Sequence, residues 1–256
     1  MGVVNVTPDS FFDGGLYASS ESAICHAVRL FEEGADMLDI GGESTRPGGG
    51  PVNAAEELRR IVPVVQALAS RNIPVSVDTS KPEVMCAAIA AGAVMINDVN
   101  ALQAPGALEA VAAGNVAACL MHMQGEPRSM QANPQYRDVV AEVKDFLQQR
   151  LNAAQAAGIS RVRLAIDPGF GFGKTLEHNL ELLRHLDHFM DMGVPVLAGL
   201  SRKSMLGKLT GNEVGERIHA SVAAALLAAV RGARILRVHD VKATRDALAV
   251  YNAIEQ

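Results

Sequence analysis

The chain has 256 residues, 49% hydrophobic but only 4% aromatic, with no tryptophan and a formal net charge of −5. That length suits one barrel domain, which takes about 250 residues, and the acidic balance argues against nucleic acid or an anionic membrane as partner. No apolar run reaches the roughly 20 residues that span a bilayer, and Met1 to Asp13 has neither the basic start nor the apolar stretch of a leader, so a cytoplasmic protein is expected.

Along the chain, short apolar runs end in polar residues, with helical patterns between them. Val3-Val4 ends in Asn5, before a loop and a helical pattern over 20–33. Met37-Leu38 ends in Asp39, and a Gly-rich loop, 41–50, leads to a helix over 53–70. Val75-Ser76-Val77 ends in Asp78; Ser80-Lys81-Pro82-Glu83 then opens a helix over 82–91 with proline in its first turn. Val94-Met95-Ile96 ends in Asn97, with a weaker helix over 105–113. Cys119-Leu120-Met121 ends in His122, before a helix over 137–157. Leu164-Ala165-Ile166 ends in Asp167 and a Gly-rich loop, then a helix over 176–190. Val196-Leu197-Ala198 leads through Gly199-Leu200-Ser201-Arg202 to Lys203, with a helix over 212–231. Ile235-Leu236 ends in Arg237, with His239 two residues on and a helix over 241–255. Gly34, Gly92 and Gly158 sit where helices should stop. Eight buried strands separated by helices predict an α/β fold, a (β/α)8 TIM barrel forming one domain over 1–256. Cys25, Cys86 and Cys119 lie in apolar segments without metal spacing and read as reduced core residues.

Polar residues at strand C-termini are where such barrels place their chemistry. Taken singly, Asp78, Asn97, Asp167 and Lys203 could each cap a helix or satisfy a turn. Together, two carboxylates, an amide and an ammonium converge on one mouth, and that set suits a flat polar heterocycle with an amino–imino edge. Arg237 and His239, two apart, can face one anion beside Asn5 of the neighbouring first strand, as a phosphate or metal–phosphate site. Residues 167–174, Asp-Pro-Gly-Phe-Gly-Phe-Gly-Lys, are not a Walker A sequence; Phe172 is better read as an apolar contact over a flat ring. His122, between two methionines, reads as a hydrogen-bonded structural histidine, and His185 and His188 as solvated surface.

These segments together resemble the dihydropteroate synthase family, the folate-pathway transferases that sulfonamides inhibit. The resemblance rests on 5–11, 39–48, 76–80, 96–99, 121–125, 166–174, 199–204 and 237–240, in order along nearly the whole chain. Phe12 stands where the family more often has Ser, and the short hairpin that usually precedes the first strand is expected to be missing. The resemblance implies condensation of 6-hydroxymethyl-7,8-dihydropterin pyrophosphate with 4-aminobenzoate, giving 7,8-dihydropteroate and pyrophosphate. It implies pterin binding by Asp78, Asn97, Met121, Asp167 and Lys203, and pyrophosphate binding by Asn5, Arg46, Arg237 and His239 with Mg²⁺ on Asn5. Thr45, Arg46, Pro47, Phe172 and Ser204 would build the aminobenzoate side. Asp78, Asp167, Lys203 and Arg237 would be catalytic, in a homodimer. The Gly-rich loops 7–15 and 41–50 are expected to be mobile until an anion orders them. Two other readings stay open: a methyltetrahydrofolate:corrinoid methyltransferase, which would need no anion anchors, and a non-catalytic pterin-binding protein.

Overall fold

In the computed structural model, which describes residues 1–6, 16–43, 52–126 and 129–255, the eight apolar runs become eight short parallel strands. They are β1 (Gly2–Asn5), β2 (Leu38–Gly41), β3 (Val75–Asp78), β4 (Met95–Asp98), β5 (Ala117–Met121), β6 (Leu164–Asp167), β7 (Leu197–Ala198) and β8 (Ile235–Leu236). β1 to β6 pair in sequence order and β7 pairs with β8. Parallel bridges Ile166–Val196 and Gly2–Val238 join the two sheets at both edges, so the ring closes as a (β/α)8 barrel.

The helices between strands are α1 (Leu16–Glu32), α2 (Ala54–Ala69), α3 (Pro82–Ala90), α4 (Ala107–Gly114), α5 (Val139–Ala156) and α6 (Leu176–Arg184). Two more, α7 (Ser204–Thr210) and α8 (Ile218–Val230), fill the β7–β8 connection, and α9 (Val241–Glu255) follows β8. Local chemistry sets the helix ends. Asn53 accepts from the Glu56 N–H at 2.9 Å, and Asp138 accepts from Val140 and Ala141, both at 3.0 Å. Gly34, Gly92 and Gly158 all take positive φ past helix ends, as expected of stops.

Two helical expectations need correction, and one helix was not expected. The pattern over 176–190 is not one helix. It breaks at His185, and Leu186–Met192 tightens into 3₁₀ geometry. In that geometry Leu186, Phe189 and Met192, three apart, share one buried face. The pattern over 212–231 begins as helix only at Ile218, because Val214–Glu216 is a separate 3₁₀ turn and Arg217 Nε reaches back to the Asn212 carbonyl at 3.0 Å. The short α7 has too few residues to show a period. Cys119 is buried as expected, but Cys25 and Cys86 are exposed, on helix positions turned away from the sheet. Among the described residues no helix is long and apolar enough to cross a membrane.

Strand alternation divides the core in two. One set, including Val4, Ile40, Val77, Ile96, Leu120 and Ile166, packs outward against the helices. The other set points into the barrel, where Met95, Cys119, Ala165 and Leu197 form a small apolar plug. The polar residues above that plug form the candidate site.

Candidate active site

Register alone brings three of the expected residues to one level, through Gly41. Asn5 pairs with Gly41, Gly41 with Asp78, and Asp78 with Asn97. Gly41 has a positional reason. A Cβ there would stand 3.8 Å from Asn5 Oδ1 and 3.7 Å from Asp78 Cβ, filling the space the two side chains share. Met121 ends β5 opposite Asp167, and both are buried.

Arg237 organises one side. Its Nε donates to Asp39 Oδ2 at 2.6 Å and its Nη2 to Asp78 Oδ2 at 2.9 Å. Asn97 Nδ2 donates to the same Asp39 oxygen at 3.0 Å. Burial opposes the guanidinium charge, but Asp39 and Asp78 more than restore it and raise its pKa. Asp78 goes the other way. Burial, aided by Asp39, lifts it to about 7 against the pull of Arg237. Asp39 was read in the sequence only as the end of an apolar run. In fact β2 continues through Ile40 and Gly41, and Asp39 is a fully buried carboxylate one layer below the mouth. The signal was present: Leu38 and Ile40 flank it at outward positions, so alternation turns Asp39 inward.

Asp167 and Lys203 form the opposite side. Asp167 Oδ1 accepts from the Gly169 N–H at 2.7 Å, and burial raises its pKa against the opposing charge of Lys203. Burial lowers Lys203 to about 8, with Asp167 opposing. Lys203 Nζ donates to the Phe170 carbonyl and lies 4.7 Å from the Phe172 ring centroid, a cation–π contact. Ser204 is exposed as the first residue of α7. His239 Nδ1 lies 3.0 Å from Ser201 Oγ, which also accepts from the His239 backbone N–H at 3.2 Å. β8 itself ends at Leu236, but the Gly2–Val238 bridge carries the extended chain past Arg237. Arg202 and Asp240 then lock the β7 and β8 ends together with two bonds, 3.0 and 2.6 Å. Neither Ser201 nor this pair was singled out from the sequence.

Thr45, Arg46 and Pro47 lie outside the described residues, as do most of the loops 7–15 and 41–50. The root of the second loop is described. Arg60 Nη1 donates to the Gly42 carbonyl at 2.8 Å, and Glu43 Oε1 accepts from the Val52 N–H at 3.2 Å. Lys81 bridges Glu43 and the buried Glu57, the latter at 2.5 Å. Gly42, Glu43 and Val52 are thus each held by a hydrogen bond.

His122 is structural, as expected. It is buried with its ring edge-on to Phe146, and burial, aided by Lys174, lowers its pKa to about 3. His185 lies 3.1 Å from Glu181 on the surface, and the described residues hold no group of three His, Cys, Asp or Glu able to cage a metal.

Residues 1–239 match the pterin binding enzyme family. The dihydropteroate synthase of Neisseria meningitidis serogroup C is 52% identical over 259 residues, covering 99% of this chain and 92% of that protein. The solved Xanthomonas albilineans dihydropteroate synthase with 4-aminobenzoic acid superposes with a TM-score of 0.95 at 59% identity, covering 100% of this chain and 92% of the other. The same organism's enzyme in complex with 7,8-dihydropteroate gives 0.91 at 57%, with the same coverage.

Proposed function

The chain belongs to the dihydropteroate synthase family of transferases, and on that premise we propose that it condenses 6-hydroxymethyl-7,8-dihydropterin pyrophosphate with 4-aminobenzoate to give 7,8-dihydropteroate and pyrophosphate. One observation carries this reading: Asp78, Asn97, Asp167, Lys203 and Arg237 meet at the C-terminal mouth of the barrel, with Asp39 supporting Arg237 from below. Asp167 accepts from the amino–imino edge of the pterin, Asn97 and Lys203 serve its remaining polar atoms, and Met121 packs against its face. Arg237 and His239, with Asn5 and Arg46, hold the pyrophosphate. Thr45, Arg46, Pro47, Phe172 and Ser204 form the aminobenzoate side, where sulfonamides would compete.

Mg²⁺ fits this arrangement as a partner of the substrate. Asn5 Oδ1 is a hard neutral oxygen bordering the space left by Gly41, and it would hold the ion together with oxygens of the pyrophosphate. When bound, it neutralises charge on the departing pyrophosphate. Arg237 keeps its proton throughout, since two carboxylates raise its pKa, so it can stabilise the same charge. Positive charge left on the pterin methylene is stabilised by Asp78 and Asp167. The amine of 4-aminobenzoate then attacks, its surplus proton passing to solvent or the released pyrophosphate, and no covalent enzyme nucleophile takes part. A cytoplasmic homodimer is part of the same proposal. Incubating the protein with both substrates and Mg²⁺ tests it: 7,8-dihydropteroate is expected, and chelating the metal should stop its formation. Failure to form product with Mg²⁺ present would overturn the reading.

A further inference from the structure

Lys174 closes the Gly-rich loop after β6 and is buried, with 3% of its surface exposed. Its Nζ lies 2.9 Å from the Gly169 carbonyl, 2.9 Å from the Phe172 carbonyl and 2.9 Å from His122 Nδ1. Three partners around one nitrogen satisfy a lysine completely, so this head group has nothing left to offer a ligand. The rest of the loop is wired as tightly. The Phe170 carbonyl accepts from Lys203, the Gly171 carbonyl from Gln131 Nε2, and the Gly173 carbonyl from Tyr136 Oη at 2.9 Å. Every carbonyl from 169 to 173 is thus held by a side chain, two of the five by Lys174. A Cβ at Gly169 would overlap the His122 carbonyl oxygen, so the loop lies directly on the end of β5.

The two groups between these anchors face the site. The Phe170 carbonyl fixes Lys203 Nζ, and the Phe172 ring lies against the same ammonium. The backbone flanking both is what Lys174 grips. Burying an amine is costly, and its pKa falls well below the ordinary lysine range, with Asp167 opposing the fall. An apolar side chain would fill the space without that cost but would leave the Gly169 and Phe172 carbonyls without this donor.

We propose that Lys174 is a positioning residue for the reaction: its three bonds to His122, Gly169 and Phe172 set the loop that aims Lys203 and Phe172 at the pterin and aminobenzoate. This rests on the function proposed above for those two side chains. Neither Lys174 nor His122 touches substrate in this scheme. The Arg237 side of the barrel is anchored separately, on Asp39, so the effect should be one-sided.

The test compares Lys174→Met, His122→Leu and His122→Asn with the native chain. In Lys174→Met the KM for 4-aminobenzoate should rise at least tenfold, while the Kd for inorganic pyrophosphate with Mg²⁺ stays within twofold. His122→Leu removes one partner and should show a smaller rise of the same one-sided kind. His122→Asn keeps an acceptor near the Nδ1 position and should restore native constants. Independently of turnover, nitrogen-detected NMR should find Lys203 in Lys174→Met titrating above its native midpoint, because a loosened loop readmits water. Unchanged constants with only a lowered Tm, or equal weakening of both ligands, would overturn the proposal. If Lys174→Met does not fold, the His122 pair decides by the same measures. If the native chain makes no dihydropteroate, the function fails, and the Lys203 titration alone decides for or against the role of Lys174.

Discussion

The most consequential residue contact is the one between Arg237 and Asp39. It makes Arg237, the proposed anion anchor, also the sole cation bonded to a carboxylate with 0% exposure among the described residues. Arg237→Met should therefore weaken pyrophosphate at least tenfold and also destabilise the fold by about 3–5 kcal/mol, because a buried charge is left unpaired. Urea unfolding checks the second part; native stability would mean that Asp39 finds water or another donor. Asp167→Asn isolates the other side. The amide puts a donor where the pterin edge needs an acceptor, at about 1–3 kcal/mol, or roughly fivefold to 150-fold in affinity. Calorimetry with a phosphate-free pterin reads it, and unchanged affinity would remove Asp167 from the pocket. The pH dependence follows from two shifted groups. Asp78 is raised to about 7 and accepts well only when ionised, so pterin affinity should climb as pH rises through 7. Lys203 is lowered to about 8 and donates fully only when protonated, so affinity should decline above 8. Binding near pH 7 should accordingly release a proton, seen as buffer-dependent heats; heats independent of buffer would contradict the assignment.

At the scale of elements, the strands were legible because each apolar run is short, bounded and followed by a polar residue, and the barrel follows from eight such runs. The candidate site was legible for the same reason: strand ends mark the mouth. What the sequence hid was hidden by physics that needs three dimensions. A lone Asp within β2 looks like a strand end until its neighbours are seen to face outward. A lysine closing a Gly-rich loop that is not a Walker A sequence has no evident role until it is found turned back on its own loop. The break at His185 lacks the glycine that marks other stops, and α7 is shorter than two helical repeats. The loop after β6 yields an element-scale prediction. Gly169 has φ +71° and no room for a Cβ. Gly169→Ala should combine backbone strain of about 1 kcal/mol with overpacking of about 1–3 kcal/mol, and raise KM for both substrates. Alanine tolerated with native Tm and KM would show that the loop can move off β5 at no cost.

At the scale of the whole molecule, the barrel is unevenly sewn. β2 through β5 each pair along most of their length on both sides, whereas β7 and β8 contribute two residues each and meet the larger sheet through single bridges at Val196 and Val238 and a bond from the Met1 amino group to the Leu236 carbonyl at 3.0 Å. The side chains of β8 are only half-buried, so little apolar surface holds it in place. Regions with few ladder bonds and little burial open at lower free energy than the global transition. The weak seam nevertheless carries two of the residues proposed for the chemistry, since Lys203 follows β7 and Arg237 follows β8. Arg237 reaches across the interior to Asp39 on β2 and Asp78 on β3, so side chains close the ring where backbone pairing is sparse. A ligand that engages Arg237 and His239 must therefore stabilise the seam most. At a hundredfold excess over its Kd, pyrophosphate with Mg²⁺ should add about 2.7 kcal/mol to any opening that destroys its site. In hydrogen exchange, amides of 196–198 and 235–238 should exchange well before those of β2 to β5 in the free protein. They should then slow by roughly a hundredfold with the ligand, while the other strands change only as far as they exchange by the same opening. Uniform protection around the barrel in the free protein would show that the seam is no weaker than the rest.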